Sequence, residues 1–296
     1  MTAEHFETGS KKGRGLGRRS LELIEELHTT VAAIQPVTGR GVGYKLFTAG
    51  LIPSMAKPEM QRVYRLLKLA REEGIIPWEW IVDETRELEI CSSWADPAAF
   101  VRTVSRSYRR DFWNQQPQRV LIVSEKGTVR GVLAPVLNEF GVGFRVMHGL
   151  SSATAVYDIA QDDDGRLLFI LYVGDYDPSG MYMSERDLPE RLANYGGDHV
   201  RVKRIALTRA HHSLPWFPAS DKKRDPRYQW FVRNYGDRCW ELDALDPNDL
   251  RALVDEAIRV EIEPTAWKRC AVVEKAERES LRHVLDSWKG VDGGAQ

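Results

Sequence analysis

Leu167 to Gly180 reads LLFILYVGDYDPSG, and the fold class turns on it. Seven apolar residues from Leu167 to Val173 are far fewer than the roughly 18 needed to cross a bilayer, so they are read as a buried strand. The Gly174–Asp175–Tyr176–Asp177–Pro178–Ser179–Gly180 run that follows is rich in turn formers, and it sets two carboxylates at the strand's carboxyl end. Upstream, VLIVS over Val120–Ser124 is a second such run, followed by Glu125–Lys126–Gly127 and a helical pattern from Thr128 to Phe140. A strand over Phe144–Met147, a helix over Ser151–Gln161, a helix over Glu185–Tyr195 and a strand over Val200–Leu207 complete the alternation. Strands alternating with helices predict right-handed crossovers and a small parallel sheet with helices on both faces, here over residues 118–245. The rest, from about 209 to 296, reads mostly helical. Helices are expected over Pro247–Val260 and Val272–Trp288, so residues 246–296 are expected to form a helical C-terminal extension.

Ahead of the sheet the pattern changes. Residues 1–19, with GSKKGRGLGRR, read as a basic arm, and no dinucleotide site is assigned to its glycines because no strand precedes them. Helices are expected over Ser20–Ile34, Val42–Ala49 and Pro58–Glu73. Extended runs are expected at Ile75–Val82 and Leu88–Cys91, around a charged tip at 83–87. Three short helices and a two-stranded wing give the order of a winged helix over residues 20–95. A helix from Pro97 to about Trp113 links it to the sheet across 96–117. On a helical wheel Met60, Val63, Leu66, Leu67 and Ala70 share one side of the third helix, with Arg62, Arg65, Lys68 and Arg71 opposite. Together with Lys57 these cations suit a phosphate backbone, and equally a solvated helix face.

Charge is concentrated in windows that the total conceals. Lys plus Arg number 42 and Asp plus Glu 43, for a net charge of -1. Yet Arg40–Arg71 holds seven basic residues against Glu59 alone, and Arg201–Trp230 holds eight against Asp221 and Asp225. Glu241–Glu263 reverses the balance, with eight acids against Arg251 and Arg259. The 296 residues, 43% of them hydrophobic, exclude a disordered, collagen-like or rod-like chain. Cys91, Cys239 and Cys270 are odd in number and far apart, which argues against a disulfide framework or a Cys-based zinc site. With neither a signal peptide nor a membrane span evident, a cytoplasmic protein is expected.

Ligands of parallel sheets gather beyond the carboxyl ends of the strands. Glu125, Asp175 and Asp177 meet that condition and together form a hard-oxygen donor set suited to Mg²⁺ or Mn²⁺. With Lys126 beside it, such an ion would polarise a phosphodiester. The two aspartates are also good turn formers, and that reading stays open. His211–His212 is read as a solvated loop, or as a phosphate contact alongside Lys222, Lys223, Arg224 and Arg227; Asp162–Asp163–Asp164–Gly165 is read as a loop tip; and Trp240–Glu241–Leu242–Asp243–Ala244–Leu245 is read as packing, or as a source of acids that reach the metal site.

Glu125–Lys126 after VLIVS, and Gly174–Asp175–x–Asp177–Pro178–x–Gly180 after LLFILYV, resemble the Toprim domain of type IIB topoisomerase A subunits and their meiotic double-strand-break relatives. The preceding winged helix stands in that family's order, so the resemblance covers about residues 20 to 245. It implies a homodimer that cuts double-stranded DNA, with a tyrosine attacking a phosphodiester and the Toprim acids of the partner protomer holding Mg²⁺. The family's Arg-acid-aliphatic-aromatic-Tyr motif aligns with Arg40–Gly41–Val42–Gly43–Tyr44. Tyr44 thus falls at the nucleophile position and Arg40 at the arginine, while glycines replace the acid and the first aromatic. Tyr44 is therefore read either as nucleophile or as a packed aromatic, and a Toprim nuclease that activates water fits as well. With no ATPase module in this sequence, strand passage would need a separate subunit. The alternatives are a winged-helix DNA-binding protein with a vestigial Toprim fold, or a Toprim nuclease acting on RNA.

Overall fold

The structure, a computed structural model, describes residues 18–82, 92–147 and 153–288. It divides into one unit ending at Ile81 and a second beginning at Val82. The expected charged tip at 83–87 and the strand at Leu88–Cys91 lie outside the described residues, as does the arm up to residue 17.

The first unit contains three helices, α1 (Arg18–Ile34), α2 (Gly39–Thr48) and α3 (Lys57–Glu72), and two short strands, β1 (Val37–Thr38) and β2 (Ile81–Val82). Thr38 caps α2 by accepting from the Gly41 N–H at 2.9 Å, and Pro58 sits in the first turn of α3. Leu27, Val31, Val42, Leu46, Val63, Leu66 and Ile76 pack into one core, built from the apolar stripes that the helical spacing predicts. Gly43 touches Met60 so closely that a Cβ there would overlap its thioether.

The expected strand over Ile75–Val82 is a correction. Gly74, at φ 72°, turns the chain left-handed after α3, and the Ile75 N–H donates back to the Ala70 carbonyl at 2.8 Å. Pro77 then leads into a 3₁₀ turn at Trp78–Trp80, so extended backbone begins only at Ile81. Its sheet partner is β1.

The second unit is mixed α/β, a parallel sheet flanked by helices. It runs α4 (Pro97–Ser107), β3 (Gln118–Ser124), α5 (Thr128–Phe140), β4 (Gly143–Val146), α6 (Ala153–Gln161), β5 (Leu167–Val173), α7 (Pro178–Tyr182), α8 (Leu188–Asn194) and β6 (Val200–Ala206). A π turn at Met183–Asp187 joins α7 to α8, so the expected helix at Glu185 starts earlier, at Pro178. The chain continues through β7 (Trp216–Pro218), α9 (Tyr228–Tyr235), β8 (Arg238–Trp240), α10 (Pro247–Val260) and α11 (Pro264–Trp288).

The strand order is β4-β3-β5-β6, with all neighbours parallel. Side chains of β5 alternate between two cores. Leu171 and Val173 join Leu133 and Phe140 of α5 and Leu250 and Ile258 of α10, while Ile170 and Tyr172 join Ile159 of α6 and Leu188 and Leu192 of α8. Both faces of the sheet are therefore covered, as the continuous apolar run requires.

Two further expectations are corrected. Helix α10 is part of the sheet's own core rather than an extension beyond it. The segment after β6 is mostly helical, as expected, and also carries a short ribbon in which Trp216–Pro218 pairs antiparallel with Arg238–Trp240. Helix α4 stops at Ser107 rather than near Trp113, whose indole instead donates to the Phe140 carbonyl at 2.8 Å and packs edge-on against Trp267.

Candidate active site

Leaving β3, the chain goes to β4 on one side and returns to β5 on the other, so β3 and β5 are neighbours at a switch point of the sheet. Their register pairs Ser124 with Val173, which brings Glu125–Lys126 alongside Gly174–Asp175. Lys126 Nζ donates to Asp175 Oδ1 at 2.8 Å and to Asp243 Oδ2 at 2.9 Å. Asp175 Oδ1 also accepts from the Leu242 N–H at 2.7 Å. Asp177 caps α7, its Oδ1 accepting from the Gly180 N–H at 2.8 Å, and its Oδ2 faces Lys222 Nζ at 3.3 Å.

Arg204 fastens this loop from below. A register irregularity between β5 and β6 at Tyr172/Val173 accompanies its reach under the loop. It donates to the Leu207 carbonyl at 2.8 Å, to the Gly174 carbonyl at 3.3 Å and to the Asp175 carbonyl, with its guanidinium over the Tyr172 ring at 5.2 Å. Gly180 is required by the same approach, since a Cβ there would overlap the Asp175 carbonyl oxygen.

Four carboxylates and three cations thus share a partly dehydrated space, and the charges bias one another. Burial and the nearby Asp175 and Asp177 carboxylates push Glu125 up to about 7. Burial opposes the charge on Lys126, but Asp175 and Asp243 outweigh it and hold the amine well above its ordinary value. Burial also lifts the Asp175 carboxyl, with Lys126 and the Leu242 amide pulling the other way. Lys222 follows the pattern of Lys126, with Asp177 outweighing burial.

Of the two readings of the Trp240–Leu245 segment, packing or acids that reach the site, Asp243 follows the second, since Lys126 Nζ donates to it at 2.9 Å. The carboxylate reaches Lys126 because β8 runs beside the Asp175–Asp177 loop. Tyr176 and Trp240 exchange backbone hydrogen bonds at 2.9 and 3.0 Å, which carries the next residues to the strand ends. The sequence reading makes Lys222 a phosphate contact, and here it faces Asp177; Arg204 escapes the sequence reading although it falls in the basic window 201–230, because nothing local marks which of its cations pack against the loop.

The other expected residues lie elsewhere. Tyr44 and Arg40 are on α2 of the first unit, Tyr44 only 7% exposed and the Arg40 guanidinium 5.8 Å from its ring. On α3, Lys57, Arg65 and Lys68 are exposed. Lys68 pairs with Glu72 at 3.5 Å, and Arg71 stacks on Trp78 at 4.3 Å; Arg62 is half-buried. His212 is exposed, whereas His211 is half-buried and closes a capping turn with Thr208. Asp162 and Asp164 pair with Arg119 at 2.8 and 3.3 Å.

All four carboxylates offer hard oxygen donors, the chemistry that Mg²⁺ and Mn²⁺ prefer. Among the described residues, however, no group of three or more His, Cys, Asp or Glu side chains is gathered as a metal cluster, and lysine ammoniums occupy Asp175 and Asp177 instead. Glu125 makes no ion pair or hydrogen bond among the described residues, and its carboxyl is raised first by burial and then by the neighbouring Asp175 and Asp177 carboxylates. A divalent cation would relieve that repulsion, so the donor set fits one.

Compared with family models, with curated proteins and with solved structures, the chain matches none. Among the described residues no helix is long and apolar enough to cross a membrane.

Proposed function

We propose that the chain binds DNA and cuts its phosphodiester backbone with the help of Mg²⁺ or Mn²⁺, in the manner of a winged helix joined to a Toprim-type sheet. The observation that carries this reading is the convergence of Glu125, Lys126, Asp175 and Asp177 at the ends of adjacent β3 and β5. Glu125, Asp175 and Asp177 would hold the ion, which when bound would polarise a phosphoryl oxygen and stabilise the leaving oxygen. Glu125, pushed up to about 7, exchanges its proton near neutral pH and suits transfer to or from the reacting oxygens. Lys126 supplies positive charge beside the same point. Arg204 positions the loop and does not touch substrate. The exposed Lys57, Arg65 and Lys68 of α3 would contact the DNA backbone.

Hydrolysis is the route the side chains favour. Water oxygen forms a bond to phosphorus, the bond to the departing sugar oxygen breaks, and the proton lost by water offsets the one the leaving oxygen takes up. Tyr44 is buried, which favours its reading as a packed aromatic. The test is cleavage of supercoiled plasmid with Mg²⁺ or Mn²⁺ by wild type, Tyr44→Phe and the Asp175→Ala, Asp177→Ala double variant, stopped with detergent and run with and without protease. Cuts that survive Tyr44→Phe and vanish in the double variant are expected. Cuts retained by the double variant would refute the proposal, and cuts visible only after protease and lost in Tyr44→Phe would transfer the nucleophile to Tyr44.

A further inference from the structure

The β7–β8 ribbon carries an aromatic surface that cutting chemistry alone does not use. Its register pairs Trp216 with Trp240, Phe217 with Cys239 and Pro218 with Arg238. Alternation puts Phe217 and Cys239 on one side and Trp216, Trp240, Pro218 and Arg238 on the other; on that second side Trp240 is buried in the core, while Trp216 and Arg238 remain exposed. Trp216 is 49% exposed. Arg238, its diagonal neighbour across the ribbon, holds its guanidinium 4.6 Å from the indole centroid. A large flat side chain left half open, with a cation stacked on it, is an unsatisfied surface.

The position of that surface relates it to the carboxylates. Trp240 is bonded through its backbone to Tyr176 and pairs with Trp216 on its other side. Tyr176, Trp240 and Trp216 therefore lie side by side across three backbones, which at about 4.8 Å per strand puts Trp216 about 10 Å from the residue between Asp175 and Asp177. Lys222 follows β7 and reaches the carboxylates, its Nζ 3.3 Å from Asp177 and 5.9 Å from the Phe217 ring centroid. Lys222, Lys223 and Arg224 are all exposed immediately beyond β7. Asp221 and Asp237 are the exposed acids on the same segments, so exposed cations outnumber exposed acids over residues 216–224 and 237–238. A half-open aromatic ring with a guanidinium beside it, on a segment rich in cations, fits a base and its phosphates better than a greasy partner surface.

We infer that Trp216 and Arg238 form a stacking subsite for an unpaired base of the strand whose phosphodiester lies at the carboxylates. The inference rests on the nucleic-acid reading of that site, and it narrows the substrate to DNA with a frayed, looped or single-stranded stretch, because a base stacked within a duplex cannot present its face to an indole.

The test is fluorescence anisotropy of the full chain, in EDTA so that nothing is cut, with labelled oligo(dT) and a blunt duplex of the same length. Trp216→Ala is expected to weaken oligo(dT) binding about ten-fold, within the range of one lost base–aromatic stack, and to leave duplex binding nearly unchanged. Trp216→Phe should restore most of the loss, and Arg238→Gln should give a smaller one. An equal loss for both DNAs, no loss for either, or failure of wild type to bind oligo(dT) would overturn the inference. Plasmid cutting separates the two proposals. A wild type that cuts, with oligo(dT) binding indifferent to Trp216→Ala, refutes the stacking subsite alone. A wild type that cuts nothing yet shows the ten-fold selective loss refutes the cleavage reading alone.

Discussion

Replacing Glu125 by glutamine should stabilise the second unit at alkaline pH and leave it unchanged in acid. The side chain moves from an ordinary value near 4.5 to about 7 in the folded protein, through burial and then Asp175 and Asp177. Between those two values the folded state binds its proton more tightly than the unfolded chain does. Stability therefore falls as pH rises through that window, and the loss is complete above pH 7. At about 1.4 kcal/mol per pKa unit the shift corresponds to about 3 kcal/mol, an upper bound because the side chain is only half-buried. Glutamine mimics the protonated acid and does not titrate. The measured quantity is the difference between Glu125→Gln and wild type in hydrogen-exchange protection of β5 (Leu167–Val173), taken in EDTA from pH 4 to pH 8. Exchange of this central strand reports on the second unit without the first. The variant should match wild type at pH 4 and exceed it by up to about 3 kcal/mol at pH 8. Mg²⁺ should then stabilise wild type more than the variant, since the carboxylate is the part that the cation neutralises. A difference that is flat with pH, or a variant weaker than wild type at pH 8, would refute the argument that burial and the neighbouring carboxylates lift Glu125.

Asp243→Ala removes one of two carboxylates from Lys126 and should cost about 1–3 kcal/mol in urea unfolding; a double-mutant cycle with Lys126→Met should recover most of it as coupling, and additive losses would place Asp243 outside the site. Gly180→Ala drives a methyl into the Asp175 carbonyl, so a loss of about 1–3 kcal/mol is expected, read as a lowered melting temperature together with loss of cleavage. Arg65→Ala, at an exposed position of α3, should weaken duplex binding and make the slope of log K against log salt shallower by about 1; an unchanged slope in a salt titration would remove Arg65 from the DNA interface.

Much of the architecture was legible in the sequence because its signals are local. The apolar run Leu167–Val173 and the pattern Thr128–Phe140 match β5 and α5 residue for residue, since strand and helix periods are written into consecutive side chains. Pro and Gly punctuation marked α3 and α10 almost as closely. The strand-end acids were found for the same reason: each follows directly on a strong strand signal. What local reading missed was short or made by distant partners. The three-residue strands β7 and β8 carry too few residues for an alternation to register. Ile75–Val82 has strand-like composition, but the α3 terminus captures its first amides.

The sequence by itself determined that this chain would form a parallel sheet with helices on both faces, carry acids at two strand ends and display cations on one helix. Those properties depend on the order of polar and apolar residues along the backbone. Only the tertiary structure decided that Lys126 would bridge Asp175 and Asp243, that Lys222 would turn inward to Asp177 and that Trp216 would stand open beside Arg238. These depend on strand order, on the Ser124–Val173 register and on the backbone bridge from Tyr176 to Trp240, which bring together side chains far apart in sequence. Charge–charge energies fall with distance and grow with burial, so the protonation of Glu125 is likewise a property of the assembled site and not of its position in the chain.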